Sequence, residues 1–168
     1  LAGHALDGLP FAPSPGPAFI LPATLFLASI FGRANDARIK TLYEGLLAPL
    51  TKSGVDDWPA AAVHNTLRPV AVHPDYAGHP ASVRIVRWYA RRQTPHGDWG
   101  ADVPFYQALN ALAHLENPSA AEQCAMAFES LPARRNPDGS WGVRQPQWET
   151  FLTTHALYNR GRLPLPCA

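Results

Sequence analysis

Charged residues are scarce in this sequence, and lysine is almost absent. Acidic and basic side chains make up 16% of the 168 residues, and the only lysines are Lys40 and Lys52. The formal net charge is +1, so the chain lacks the positive field that nucleic-acid binding requires. Because 46% of the residues are hydrophobic, intrinsic disorder is excluded as well. We expect a folded protein that does not bind nucleic acid.

Cysteine is also rare, with Cys124 and Cys167 as the two examples. Neither lies in a CxxC motif or at a Cys/His spacing typical of zinc sites. A disulfide framework is therefore not expected, which favours a reducing compartment such as the cytoplasm. No metal or other cofactor is predicted.

Long apolar runs are missing. The apolar stretch over residues 18–31 contains Pro22 and is shorter than the roughly 20 residues that cross a bilayer. It also lacks the basic region that begins a signal peptide. We predict a buried helix here and no transmembrane segment, which leaves peripheral membrane association open.

Proline is abundant, and its distribution divides the chain. Five of the 18 prolines fall within the first 22 residues, which predicts an extended arm over residues 1–21. From Pro22 onward the apolar residues follow a helical period. We predict a helix-hairpin repeat domain over residues 22–161 and a tail over residues 162–168.

Three turns that contain Gly and Trp mark an internal repeat. They cover residues 52–58, 95–99 and 136–141, and their tryptophans are 41 and 42 residues apart. A repeat of this length is typical of helix-hairpin arrays. Helices are predicted over residues 37–48, 80–92 and 119–131 before the turns, and over 59–67, 103–115 and 148–158 after them. Pro49 and Pro132 are expected to end the first and third of these helices.

The predicted helices are of two types, which indicates an all-α fold. Those that start at Pro22, Pro59, Pro104 and Glu149 are small and apolar, as is typical of helices buried on most sides. Those that precede the turns carry charges along one side and suit an outer position. Alternating inner and outer helices form a curved array or a closed α/α toroid.

The second turn resembles the QW motif of the squalene–hopene and oxidosqualene cyclase family. Trp88, Gln93, Gly97 and Trp99 match the motif's aromatic residue, Gln and Gly-x-Trp. Residues 136–141 resemble a second copy, in which Asn136 replaces the Gln, and residues 52–58 a degenerate third. Residues 148–157 are similar to the related protein prenyltransferase β repeat. The likeness covers residues 22 to about 161.

This resemblance implies an α/α toroid, of which the chain holds about three and a half hairpins where the family has six. It also implies structural roles for Gln93, Trp99 and Trp141, because the motif's Gln caps helix ends and stacks on the Trp. A half-ring would leave apolar inner-helix surface open at both ends. We therefore expect a homo-oligomer or a partner subunit.

The starts of the inner helices rim the central cavity in that family, and three carboxylates fall there. Asp57, Asp102 and Glu149 could act as general acids or bases, or could cap helices at their positive ends. The segment 54–57, Gly-Val-Asp-Asp, resembles a cyclase Asp-x-Asp-Asp motif without its first Asp, but the repeat places it in a turn. His155 is a further candidate catalytic base, or a hydrogen-bonded core residue.

Aromatic residues lie near the same helix starts. A substrate pocket could be lined by them together with an inner-helix histidine: Trp58, Phe105, Tyr106, Trp148, Phe151 and His64. Aromatic faces stabilise carbocations, although the same side chains could pack in the core. The leading hypothesis is a terpenoid cyclase-like protein that cyclises or isomerises an apolar, isoprenoid-like substrate by acid–base chemistry. The alternative is a non-catalytic repeat module that binds a partner or completes a ring with another subunit.

Overall fold

The computed structural model of the protein describes residues 5–6, 9–10 and 17–163, and this part of the chain is all-α as predicted. Ala5–Leu6 (β1) pairs antiparallel with Leu9–Pro10 (β2), and a 3₁₀ turn covers Pro132–Arg134. The helices in these residues are α1 (Pro17–Ile30), α2 (Ala37–Ser53), α3 (Ala60–Val72), α4 (Pro80–Arg92), α5 (Phe105–Ala113), α6 (Pro118–Ser130) and α7 (Pro146–Asn159). Cys167 and most of the predicted tail and arm lie outside the described residues.

The helices belong to two compact units, residues 1–91 and 92–168. In the first unit α1 packs against α3 and α2. The buried Tyr43 of α2 ties these helices together, because its hydroxyl lies 3.0 Å from the Pro69 carbonyl oxygen and 3.3 Å from that of Leu25. Burial raises the pKa of Tyr43 to about 12, so this hydroxyl stays protonated.

In the second unit α5 packs against both α7 and α6. The Asn110 side-chain amide of α5 donates to the Leu152 carbonyl oxygen of α7 at 3.2 Å. At the C-terminal end of α5, Arg160 donates to the carbonyl oxygens of Leu112 and of Leu115 just beyond the helix, both at 2.8 Å. Helices of the predicted inner type thus contact each other within each unit, as a helical repeat requires.

Two prolines were wrongly placed by the sequence pattern. Helix α1 begins at Pro17, so residues 17–21 are helical and Pro22 lies inside the helix. Pro22 is the sixth residue of α1 and so removes a hydrogen bond within the helix. The buried side chains of Leu25 and Phe26 on the same helix offset this loss. Pro49 lies inside α2, which continues to Ser53. Leu50 is fully buried, and burial of such a side chain offsets the hydrogen bond that Pro49 removes.

The other helix ends are close to the prediction. Helix α4 has the predicted bounds, and α6 ends before Pro132 as expected. Helix α7 begins at Pro146 and not at residue 148, because Pro146 fits the first helical position. Helix α3 runs five residues past its predicted end at residue 67, through Pro69, and its last two turns are almost entirely buried.

Candidate functional site

The second and third Gly/Trp turns have the same backbone geometry. Thr94 N–H donates to the Asp98 carbonyl at 2.7 Å, and Gly97 N–H donates to the Thr94 carbonyl at 2.9 Å. The third turn repeats both bonds 42 residues later, from Asn136 to the Ser140 carbonyl at 2.8 Å and from Gly139 to the Asn136 carbonyl at 2.9 Å. The repeat seen in the sequence is therefore a repeat of hydrogen bonds.

Glycine is required in these turns for a physical reason. Gly97 and Gly139 have φ values of 79° and 87°, a region that favours glycine. Gly97 also lies against the backbone of α6, where a Cβ atom would come 2.5 Å from the Met126 carbonyl oxygen. The second turn is thus packed directly on α6.

Gln93 joins the second turn to α6. Its side-chain amide donates to the Gly97 carbonyl at 3.2 Å and to the Gln123 carbonyl at 2.8 Å. The Trp99 indole N–H donates to the Gln123 side-chain oxygen at 3.1 Å, and Trp99 is buried. These contacts give Gln93 and Trp99 the structural role that was expected.

In the third turn Arg135, not Asn136, occupies the position of Gln93. Arg135 Nε donates to the Gly139 carbonyl at 3.0 Å, which matches the bond from Gln93 to Gly97. Asn136 instead matches Thr94, since its amide donates to the Ser140 hydroxyl at 2.9 Å. The sequence alignment misplaced this residue by one position, because it matched amide with amide.

Asp57 and Asp102 are exposed in turns. The residues that precede the first turns of α3 and α5 are Pro59 and Pro104, and neither helix has a side-chain cap. The prediction that these aspartates cap the helices is therefore wrong. The reason is that Pro59 and Pro104 occupy the N-cap positions of α3 and α5. Each helix therefore begins two or more residues after the aspartate.

Glu149 is half-buried at the start of α7. Its Oε2 accepts the Gln145 backbone N–H at 3.2 Å, which satisfies a free donor at the helix start. Its side chain fills the space beside Gly142, where a Cβ atom would collide with it. Burial raises the pKa of the adjacent Tyr106, and the charge of Glu149 raises it further. Glu149 thus has the contacts of a capping residue.

His155 lies on the same helix, four residues after Phe151. The His155 and Phe151 rings stack with centroids 5.6 Å apart, and His155 Nδ1 lies 3.1 Å from the Asn110 amide nitrogen. His114 contacts His155 edge-on at 5.0 Å. Burial lowers the pKa of His155, and burial, His155 and Arg160 lower the pKa of His114 to about 4. Both rings are neutral at pH 7.

His64 is a core residue of the first unit. It has no exposed surface, and its Nδ1 lies 2.8 Å from the Tyr89 hydroxyl. Burial raises the pKa of Tyr89 far above its ordinary value. This geometry is that of a hydrogen-bonded core pair.

Three of the aromatic candidates lie at or beside the turns. The Phe105 ring lies under the Arg134 guanidinium at 4.1 Å and 5.9 Å from the Trp99 ring. The Tyr106 ring meets the Phe105 ring edge-on at 5.0 Å. Trp58 is half-buried in the first turn, where its backbone N–H donates to the Val55 carbonyl at 3.1 Å.

Trp148 and Phe151 are different, because they are exposed by 38% and 48%. Trp148 lines an open cavity of about 740 Å³ at the start of α7. The residues around this cavity are Asp138, Ser140, Arg144, Gln145, Pro146, Gln147, Trp148 and Thr150. Of the predicted site residues, the structure places Trp148 at this cavity and Glu149 next to it in sequence.

An uncharged row of ring side chains runs along α7, and we name it the α7 stripe. It consists of Trp148, Phe151, His155 and Tyr158, at helical spacing. The edge-on Trp148 and Phe151 rings have centroids 6.2 Å apart, and Tyr158 is 50% exposed. Sequence reasoning missed Tyr158, although its distance of seven residues from Phe151 was a readable signal.

Within the described residues, no group of three or more His, Cys, Asp or Glu side chains is arranged to hold a metal ion. In that same part of the chain, no helix has both the length and the apolar character needed to span a membrane. No family model matches the sequence, and the searches of curated proteins and solved structures gave no match.

Proposed function

We propose that the protein is a non-catalytic helical-repeat module that binds a partner through the α7 stripe. The observation that carries this proposal is the exposure of Trp148, Phe151 and Tyr158 on one helix. Large aromatic side chains dominate the binding energy of protein interfaces, and an exposed apolar patch is typical of an interaction surface.

The composition of the stripe supports binding. None of its members carries a charge at pH 7, since the pKa of His155 is lowered by burial. Its helix packs firmly on α5, so the rings are held on a rigid element. A rigid aromatic surface loses little conformational entropy when a partner covers it.

The environments of the three carboxylates favour the binding proposal over acid–base cyclisation. An acid that protonates an alkene must be kept protonated in a dry, apolar site. Asp57 and Asp102 are exposed, and Glu149 accepts the Gln145 backbone N–H, as a capping residue does. The terpenoid cyclase-like hypothesis and the toroid stay predictions.

The proposal is tested with an anilinonaphthalene sulfonate dye, whose fluorescence increases on apolar protein surfaces. We expect the protein to bind the dye, and the double variant Trp148→Ser/Phe151→Ser to lose most of the signal. The matched control is Met126→Ser, which removes an apolar side chain of similar exposure from α6. Equal dye binding by the double variant and the control would refute the proposal.

The catalytic alternative has its own test. The protein and its Glu149→Gln variant are incubated with a linear isoprenoid, and the products are analysed by mass spectrometry and chromatography. The proposal of a non-catalytic module predicts no conversion by either protein. Conversion by the wild type that Glu149→Gln abolishes would establish the cyclase-like function instead.

A further inference from the structure

His155 accepts a hydrogen bond across the contact between α5 and α7. Its Nδ1 lies 3.1 Å from the Asn110 side-chain amide nitrogen, and an amide nitrogen can only donate. The proton of the neutral ring is therefore on Nε2, and Nδ1 must stay unprotonated for this bond to exist. The bond joins the middle of the α7 stripe to the neighbouring helix.

The orientation of the Asn110 amide is fixed by a second acceptor, because the same nitrogen donates to the Leu152 carbonyl oxygen at 3.2 Å. If Nδ1 of His155 gained a proton, two donors would face each other. Turning the amide round would present its oxygen to the protonated Nδ1, but the bond to the Leu152 carbonyl would then be lost. Protonation of His155 therefore costs a hydrogen bond between α5 and α7 in either orientation.

His114 adds a second titratable ring to this contact. The His114 and His155 rings meet edge-on with centroids 5.0 Å apart, and His114 Nε2 lies 3.4 Å from the Asn159 amide nitrogen, from which it accepts. Arg160 lies close by, where it donates to carbonyl oxygens at the C-terminal end of α5. Protonation of both rings therefore adds two positive charges beside that of Arg160.

No opposite charge compensates this cluster. Among the residues that the structure describes, neither histidine forms an ion pair. The carboxylates nearest in sequence are Glu116, which is exposed beyond α5, and Glu149, which caps the start of α7. On α6, Cys124 lies beside Arg160, and burial raises the pKa of its thiol to about 11, so it stays uncharged. Like charges without a carboxylate partner repel one another.

We infer that protonation of His155 and His114 releases α7 from α5, so that the α7 stripe is an acid-sensitive binding surface. Release removes the rigid support of the aromatic rings, and His155 itself gains a charge in the middle of the uncharged row. The inference rests on the proposed function where it concerns the partner, which binds at neutral pH and is released in acid.

Acid favours the released state because both histidines bind protons more weakly in the packed one. Burial lowers the pKa of His155, and burial, His155 and Arg160 lower the pKa of His114 from 6.5 to about 4. In the released helix both values return toward the ordinary one. The released state therefore gains population as the pH falls from about 6.5 toward 4.

Amide hydrogen exchange measured by mass spectrometry tests the release, with each rate divided by that of an unstructured chain at the same pH. Amides of α7 are expected to exchange about tenfold faster at pH 5 than at pH 7, because a pKa difference of one between two states corresponds to a factor of ten. Amides of α6, which contains no histidine, should keep their protection. Equal protection of α7 at both pH values would overturn the inference, and so would an equal loss in α6, since the whole unit would then unfold.

A double variant tests the role of the two rings. In His155→Asn/His114→Gln, side-chain oxygens replace Nδ1 and Nε2 and accept from Asn110 and Asn159 at any pH. Its α7 amides should exchange alike at pH 5 and pH 7. The control His96→Gln, which removes an exposed histidine of the same unit, should respond to acid as the wild type does. A double variant as acid-sensitive as the wild type would refute the inference.

Nuclear magnetic resonance of the wild type gives a test that needs no substitution. The nitrogen-15 chemical shifts of the His155 ring at pH 7 should show the proton on Nε2, since Nδ1 accepts from Asn110. A proton on Nδ1 would contradict this bond and remove the basis of the acid response.

The exchange experiment contains no ligand, so its outcome does not depend on the proposed function. Equal protection of α7 at both pH values, together with dye binding that depends on Trp148 and Phe151 at pH 7, would exclude the acid response and leave the binding surface. Acid release of α7 without such dye binding would exclude the binding surface and leave the acid response.

Discussion

At the scale of single residues, Gly97 is constrained in two ways and Gly100 in only one. Both have positive φ, 79° and 82°, but only the Gly97 position is close to another backbone. An L-residue at positive φ costs about 1–2 kcal/mol, and overpacking a tight contact costs a further ~1–3 kcal/mol. The two positions therefore separate conformational strain from steric contact.

We predict that Gly97→Ala destabilises the protein more than Gly100→Ala does. Gly100→Ala should cost about 1–2 kcal/mol, whereas Gly97→Ala should cost about 2–5 kcal/mol because α6 must also move. The free energy of unfolding is measured by urea denaturation. Equal effects of the two substitutions would mean that the turn does not press on α6.

His114 makes stability dependent on pH. Its pKa is lowered from 6.5 to about 4 by burial, by His155 and by Arg160. Between these values the unfolded chain binds a proton that the folded chain does not, so the free energy of unfolding decreases as the pH falls from about 6.5 to about 4. Below the folded pKa this loss is complete.

We predict that His114→Gln removes part of this acid sensitivity. The difference in unfolding free energy between pH 7 and pH 4 should shrink by on the order of 2 kcal/mol, since the side chain is only partly shielded. His96→Gln is the control, because His96 is exposed. Parallel pH profiles for wild type and His114→Gln would show that His114 titrates alike in the folded and unfolded chains.

At the scale of helices and turns, the Gly/Trp repeat was the reliable signal in the sequence. It predicted the all-α fold and the bounds of α4, because periodic apolar residues and turn glycines act locally. The prolines gave wrong helix boundaries, because Pro22 and Pro49 lie inside helices. There the burial of neighbouring side chains outweighs the local preference of proline for helix ends. Asp57 and Asp102 were wrongly predicted to cap helices, because prolines occupy the cap positions after them.

The α7 stripe shows a second limit of sequence reasoning. Trp148 and Phe151 were recognised as aromatic residues near a helix start, yet their exposure depends on which helices cover α7. Sequence pattern cannot distinguish a buried aromatic face from an uncovered one, since both have the same period. Hence Trp148 and Phe105 were given the same role, although only Trp148 lies at the open cavity.

The turn geometry predicts that substitutions at the equivalent residues Gln93 and Arg135 differ in their cost to stability. Gln93→Leu removes two hydrogen bonds, to the carbonyls of Gly97 and Gln123, and should cost about 1–3 kcal/mol. Arg135→Gln retains a donor for the Gly139 carbonyl and should cost less than about 0.5 kcal/mol. Thermal unfolding of both variants measures the difference. A larger loss for Arg135→Gln would contradict the assigned register of the third turn.

At the scale of the whole molecule, a ligand that covers the α7 stripe should couple the stability of the protein to the ligand concentration. A ligand that binds only the folded state stabilises it by mass action, by about 1.4 kcal/mol at ten times the dissociation constant. For a chain of this length, each kcal/mol raises the unfolding temperature by about 2–4 °C. The wild-type Tm should thus rise by about 3–6 °C in anilinonaphthalene sulfonate at ten times its dissociation constant. The Tm of Trp148→Ser/Phe151→Ser should rise less at the same dye concentration, because the aromatic contacts to the dye are missing. Calorimetry of both proteins with and without dye measures the two shifts. An equal rise in the two proteins would place the contact elsewhere on the surface.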